Sequence, residues 1–210
     1  MAVFDQAFPA LNGPRIVVQV VRLDLDPGDG ARSETPPGGD LRRAGFLAGR
    51  RALRAHLATL LGCVPEEVPL RREEGGRPYL AGSDLCVSAS RSGAWLAIGT
   101  SRDCGVGVDV EAIRPLPGLD AVVEHLLPPR GRAEGLAAAR ADRVPVVLRW
   151  WTRIEAAVKA CGEGLDAASC CLAAAPQVSC EAAPGLALAA AGAVRGAHPQ
   201  VEWRLPGTLR

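Results

Sequence analysis

Trp151-Thr152-Arg153-Ile154-Glu155-Ala156-Ala157-Val158-Lys159-Ala160-Cys161-Gly162-Glu163-Gly164-Leu165 is the stretch on which the reading of this chain turns. Asp142 and Pro145 signal the start of a helix and Gly162 its stop, so the block is the second half of a long helix. At about 100° per residue, Val147, Trp151, Ile154 and Val158 form one apolar stripe, with Glu155 and Lys159 at its border. Glu155 and Lys159 are one turn apart. An ordinary surface pair at that spacing contributes only about 0.2–0.5 kcal/mol. Yet Lys159 is the single lysine of the sequence, in which arginine otherwise supplies the side-chain cations apart from histidine. Guanidinium is a planar fork, whereas ammonium is a compact charge that can lose its proton when desolvated.

Outward from this helix, the second informative stretch is Gly105-Val106-Gly107-Val108-Asp109-Val110-Glu111. Residues two apart in a strand share a face, so Asp109 and Glu111 project together while Val108 and Val110 face the core. Two such carboxylates repel unless a cation joins them. Oxygen ligands of this kind suit Mg²⁺, completed by phosphate oxygens and water. An exposed strand with alternating charge would read the same way. If strand and helix meet, Asp109, Glu111, Glu155 and Lys159 converge, an arrangement suited to a metal-bound diphosphate.

Elsewhere the pattern predicts a strand over 15–25, a loop over 27–40, and a helix from an Asp40 cap to about Leu61, stopped by Gly62. Phe46, Leu53, Leu57 and Leu60 fall on one face of that helix, with Arg50 inside the stripe and Arg54 at its edge. Charge buried without a partner is costly, so Arg50 snorkels, pairs with a structural carboxylate or meets an anionic ligand. Short strands are expected near 85–88, 95–99 and 106–110, a short helix over 119–127 and a break over 128–135. Two or three weak strands close the chain, 201–205 the clearest. The order of helix, glycine and short strands thus occurs twice, without residue-level repetition.

The bulk properties narrow the function. A length of 210 residues allows one domain or two small halves sharing a core, and 48% hydrophobic residues suffice for it. A net charge of +1 and 4% aromatic residues argue against a nucleic-acid surface. No apolar run is long enough to span a membrane, and the start lacks the pattern of a secretory signal. Seven cysteines without paired spacing read as reduced thiols in a cytoplasmic protein. A Gly-x-x-x-x-Gly-Lys loop, a nucleophile elbow and a dinucleotide fingerprint are all missing from the sequence.

Four blocks in order, Gly76-Arg77-Pro78, Val87-Ser88-Ala89-Ser90, Gly107-Val108-Asp109-Val110-Glu111 and the opening stretch from Trp151 to Leu165, resemble the 4′-phosphopantetheinyl transferase superfamily. The chain looks like the larger, monomeric type that activates peptide and polyketide synthases. That resemblance implies an α+β fold of two structurally similar halves, 1–103 and 104–210. Each would be a long helix packed on a small, mainly antiparallel sheet, with the active site between them. It implies transfer of 4′-phosphopantetheine from coenzyme A to a carrier-protein serine, with release of 3′,5′-ADP. Carried over by position, Asp109, Glu111 and Glu155 would hold Mg²⁺, and Glu155 or a metal-bound water would take the serine proton. Lys159 would support the leaving group, while Arg50, Arg77, Ser88 and Ser90, with Arg43 more loosely, would contact the nucleotide and its 3′-phosphate.

In this correspondence the family's Ser-His-Ser reads Ser88-Ala89-Ser90, so the histidine that helps hold the coenzyme A phosphate is replaced by Ala89. Losing one charge-assisted hydrogen bond costs about 1.5–3 kcal/mol. That change motivates the alternative of an attenuated or non-catalytic member that binds coenzyme A or a carrier protein. Ile154 stands where the family has a basic residue before the glutamate, and its place on the apolar stripe suits packing.

Overall fold

The computed structural model describes residues 13–24, 39–180, 183–194 and 197–207. The architecture is α+β. Strand β1 (Arg15–Arg22) alternates buried valine and isoleucine with more exposed residues, as expected for a strand with one core face. Helix α1 spans Gly39–Leu61, followed by the hairpin β2 (Leu70–Arg72) and β3 (Pro78–Leu80), and by β4 (Cys86–Ser92), β5 (Trp95–Ser101) and β6 (Gly105–Ala112). Three helices follow, α2 (Leu119–His125), α3 (Pro129–Ala137) and α4 (Arg143–Cys161). The chain continues with α5 (Ala168–Ala174), β7 (Gln177–Cys180), β8 (Leu186–Ala193) and β9 (Gln200–Arg204).

Two sheets face one another. The first has the order β4-β5-β1-β9 and the second β6-β8-β7, antiparallel throughout except for the parallel β1–β9 pair. Ile16, Val18 and Val20 from the first sheet pack in one buried cluster with Val106, Val108, Val110 and Leu188 from the second. Leu53, Leu57 and Ala58 of α1 cover the other face of the first sheet at Val87, Leu96 and Ile98. Ile154, Ala157 and Ala160 of α4 lie in one buried cluster with Ala189 and Ala191 of the second sheet. The layers are therefore helix, sheet, sheet, helix. Strand β9, near the C-terminus, completes the sheet that begins with β1.

The close approach of α4 to β6 depends on one residue. A Cβ on Gly107 would lie 1.9 Å from the Ala156 carbonyl oxygen and 2.5 Å from the Ala160 backbone nitrogen. Only a residue without a side chain lets the helix backbone rest on the strand there. Helix α4 then stops as expected at Gly162, in the left-handed region at φ +75°.

Three expectations are corrected by the fold. Residues 128–135, read as a break, fall almost wholly within α3, begun by Pro129 at its permitted first-turn position. Helix α5 and the hairpin β2–β3 were not anticipated. On α1, Phe46 and Leu60 are exposed at 48% and 38%, and Arg50 is exposed rather than buried in an apolar stripe. The buried face runs instead through Gly45, Gly49, Leu53 and Leu57. The Arg91 side chain lies against the two glycines, its guanidinium over Gly45 and its Cδ over Gly49. The expected loop over 27–40 lies mostly outside the described residues.

Candidate active site

Strand β6 is an edge of its sheet, paired only with β8, so its outer backbone donors need partners from elsewhere. Strand β4 supplies them. Its alternation places Ser88, Ser90 and Ser92 on one face, and the hydroxyls of Ser88 and Ser92 accept from the backbone N–H groups of Val108 and Ala112 at 3.1 Å. The same row reaches the carboxylates. Ser90 Oγ donates to Asp109 Oδ1 and Ser92 Oγ donates to Glu111 Oε2, each at 2.6 Å. A serine ladder thus joins the two sheets and fixes both acidic side chains.

From the other side comes α4. Lys159 Nζ lies 2.7 Å from Asp109 Oδ1, 3.3 Å from Ser90 Oγ and 3.6 Å from Glu155 Oε2. One ammonium therefore bridges a strand carboxylate and a helix carboxylate, which places Glu155 beside Asp109. The Asp109 side chain is only 4% exposed, and its Oδ2 is buried without a hydrogen-bond partner. Burial raises its pKa to about 6; Lys159 and the Ser90 hydroxyl oppose that rise, and the charge of Glu155 adds to it.

The expected site residues divide into groups. Asp109, Glu155, Lys159 and Ser90 meet directly, and Glu111 lies on the same strand face beside Ser92. Arg77 comes to the end of α4, its Nη1 standing 2.5 Å from where a Cβ on Gly162 would be. A cation there suits the carbonyl end of a helix. Ser88 is 4% exposed and committed to the backbone of β6, so the serines that hold the acidic groups are Ser90 and Ser92. Arg43 and Arg50 lie on the exposed side of α1. Arg50 sits 5.6 Å from the Phe46 ring centroid instead of in the Lys159 cluster. Ser92 was missed from sequence, although its i, i+2, i+4 spacing with Ser88 and Ser90 is the signal that reveals it.

Among the described residues, no three His, Cys, Asp or Glu side chains form a ready ion cage, since the Lys159 ammonium stands among the carboxylates. The donor set nevertheless suits a hard divalent cation. It offers only oxygen ligands, and Asp109 Oδ2 is a buried acceptor with nothing to accept from. Beyond Glu111, a cleft of about 250 Å³ runs between Ala112, Leu116, Leu126, Leu148 and Trp151.

Residues 105–195, which carry β6, α4 and β8, match the model of the 4′-phosphopantetheinyl transferase superfamily. The chain is 30% identical over 129 residues to the 4′-phosphopantetheinyl transferase HetI of Nostoc sp., covering 59% of this chain and 54% of that one. It is 34% identical over 131 residues to the 4′-phosphopantetheinyl transferase AcpT of Salmonella typhimurium, covering 62% and 64%. A phosphopantetheinyl transferase of Thraustochytrium sp. is 29% identical over 140 residues, covering 60% and 49%. The aligned region thus spans about half to two thirds of these relatives. Among the described residues, no helix is long and apolar enough to cross a membrane.

Proposed function

We propose that this chain is a 4′-phosphopantetheinyl transferase, moving the phosphopantetheine arm of coenzyme A onto a serine of an acyl or peptidyl carrier protein. The observation that carries this reading is the bridge from Asp109 on β6 through Lys159 to Glu155 on α4. In the reaction, the carrier serine oxygen bonds to the β-phosphorus of coenzyme A. The bond from that phosphorus to the bridging oxygen breaks, and 3′,5′-ADP leaves. Asp109, Glu111 and Glu155 are the residues that would hold Mg²⁺, which when bound offsets charge on the diphosphate oxygens.

Each protein group then has a distinct task. Lys159, in contact with both acidic residues, supports the charge that builds on the departing nucleotide. Glu155 is 19% exposed and so stays accessible to a proton from the serine hydroxyl. Ser90 and Ser92 keep Asp109 and Glu111 in place before substrate arrives. Arg77, at the end of α4, is the nearest described arginine to this helix terminus for an anionic portion of coenzyme A. We assign nucleotide contacts to 1–103 and the catalytic helix to 104–210, with a monomer acting in the cytoplasm on soluble partners.

The test is transfer itself. Incubated with coenzyme A, Mg²⁺ and a panel of unrelated carrier proteins, the chain should add one phosphopantetheine mass to at least one acceptor. Chelation should abolish the gain. No acceptor gaining mass, together with no metal-dependent binding of coenzyme A, would refute the reading. Binding without turnover would instead favour the non-catalytic alternative, whose motive was Ala89.

A further inference from the structure

The last turn of α4 carries a thiol that the proposed transfer does not use. Cys161 closes that helix, two residues beyond Lys159. Two residues are about 200° of helical turn, so the side chain leaves on the face away from Lys159. There it packs against the buried cluster that contains Cys171 of α5. Cys171 is 2% exposed, and its thiol is in hydrogen-bond contact with that of Cys161. Cys170, its neighbour on α5, is exposed instead. Cys161 and Cys171 therefore face one another, the first partly open to solvent and the second sealed behind it.

Both backbones hold this register. The amides of Gly162 and Glu163 donate to the Val158 carbonyl at 3.0 and 3.3 Å, which fixes the end of α4. On α5 the Ala175 amide donates to the Cys171 carbonyl at 2.8 Å, and the Gln177 side chain donates to the Leu172 carbonyl at 3.1 Å. Two thiols in contact need only a small closure to reach the bond length of a disulfide, about 2.05 Å. Burial, together with the neighbouring Cys161, raises the Cys171 thiol to about 11, so it keeps its proton at neutral pH. The partly exposed Cys161 is the sulfur that an oxidant meets first. Left alone, it would climb to sulfinic and sulfonic acids, irreversible anions set against the carbonyl end of α4.

We propose that Cys161 and Cys171 form a reversible disulfide under hydrogen peroxide, which ties α4 to α5 and shields the end of α4 from irreversible oxidation. The peroxide O–O bond breaks as one oxygen passes to the Cys161 sulfur, giving a sulfenic acid, and the other oxygen leaves as water. The Cys161 thiolate then no longer opposes ionisation of Cys171. The Cys171 sulfur bonds to that of Cys161, the S–O bond breaks, and the oxygen leaves with the Cys171 proton as a second water. Two thiols are thus oxidised to one disulfide and one peroxide is reduced. No step needs coenzyme A, so the inference stands apart from the transferase reading.

In the test, the reduced full chain is treated with hydrogen peroxide, blocked with N-ethylmaleimide and digested without reductant. Mass spectrometry then reads the cysteine peptides. The expected product joins Cys161 to Cys171, lighter than the two peptides by two hydrogens, and dithiothreitol reverses it. Oxidised wild type should unfold about 5 °C or more above its reduced form, because the bond closes a short loop, and Cys161→Ser should show no such shift. Cys171→Ala should instead accumulate at least about tenfold more Cys161 carrying extra oxygens. Cys170→Ser changes an exposed residue and should cross-link as the wild type does. Wild type in which Cys161 passes straight to sulfinic or sulfonic acid, or pairs with Cys170, overturns the proposal. A bond that forms but lowers the unfolding midpoint overturns it too, because the thiols would then not be poised to meet.

Discussion

Replacing Gly107 by alanine tests how the site is assembled. The added carbon would fall 1.9 Å from the Ala156 oxygen and 2.5 Å from the Ala160 nitrogen, both backbone atoms of α4. No rotamer change relieves such contacts, so α4 must withdraw by more than 1 Å to reach an ordinary separation. Overpacking of this kind costs about 1–3 kcal/mol and more when backbone must move. We expect about 3 kcal/mol or more lost in urea unfolding, with Lys159 drawn off Asp109. Gly135→Ala is the matched control, since its Cβ would meet only side-chain carbons at 3.4 Å or beyond. A Gly107→Ala protein within about 0.5 kcal/mol of wild type, and equally active in the proposed carrier modification, would refute the claim that direct backbone contact positions α4.

Other consequences follow from the same geometry. Asp109 titrates near 6 in the folded chain against 3.8 ordinarily, so the folded state holds the extra proton between those values. Its contribution is fully present below about 4 and is lost as pH rises through about 6, on the order of 3 kcal/mol. In chelator-treated protein, wild-type stability should therefore fall relative to Asp109→Asn between pH 4.5 and 7.5 in urea titrations; a pH-independent difference would contradict the buried state of this carboxyl. Lys159→Met should destabilise by about 2–3 kcal/mol, because it leaves a buried carboxylate without its cation. Adding Asp109→Asn should recover most of that loss, and a strictly additive double variant would disprove the coupling. Gly162→Ala should cost about 1 kcal/mol for its left-handed backbone, and should also displace Arg77, read as weaker coenzyme A binding.

Much of the site was legible in the chain because its chemistry is local. The i, i+4 spacing of Glu155 and Lys159 and the i, i+2 spacing of Asp109 and Glu111 are periodicities of helix and strand, readable without a fold. Gly62 and Gly162 likewise announced their helix ends. The amphipathic reading of α1 failed at Phe46 and Leu60 because it assumed that apolar residues fill the buried face. There, two glycines make room for a strand's arginine, and no one-dimensional pattern encodes that exchange.

Spacing by itself determined the first strand, the two long helices with their glycine stops, the acidic strand and the place of the lone lysine beside Glu155. Only tertiary structure decided that Lys159 stands between Asp109 and Glu155, that Ser92 rather than Ser88 completes the serine pair, and that Arg91 takes its place against α1. The reason is physical. Periodicity fixes which face a side chain occupies, but the partner on that face is set by which edges and backbones come close enough to need each other's hydrogen bonds.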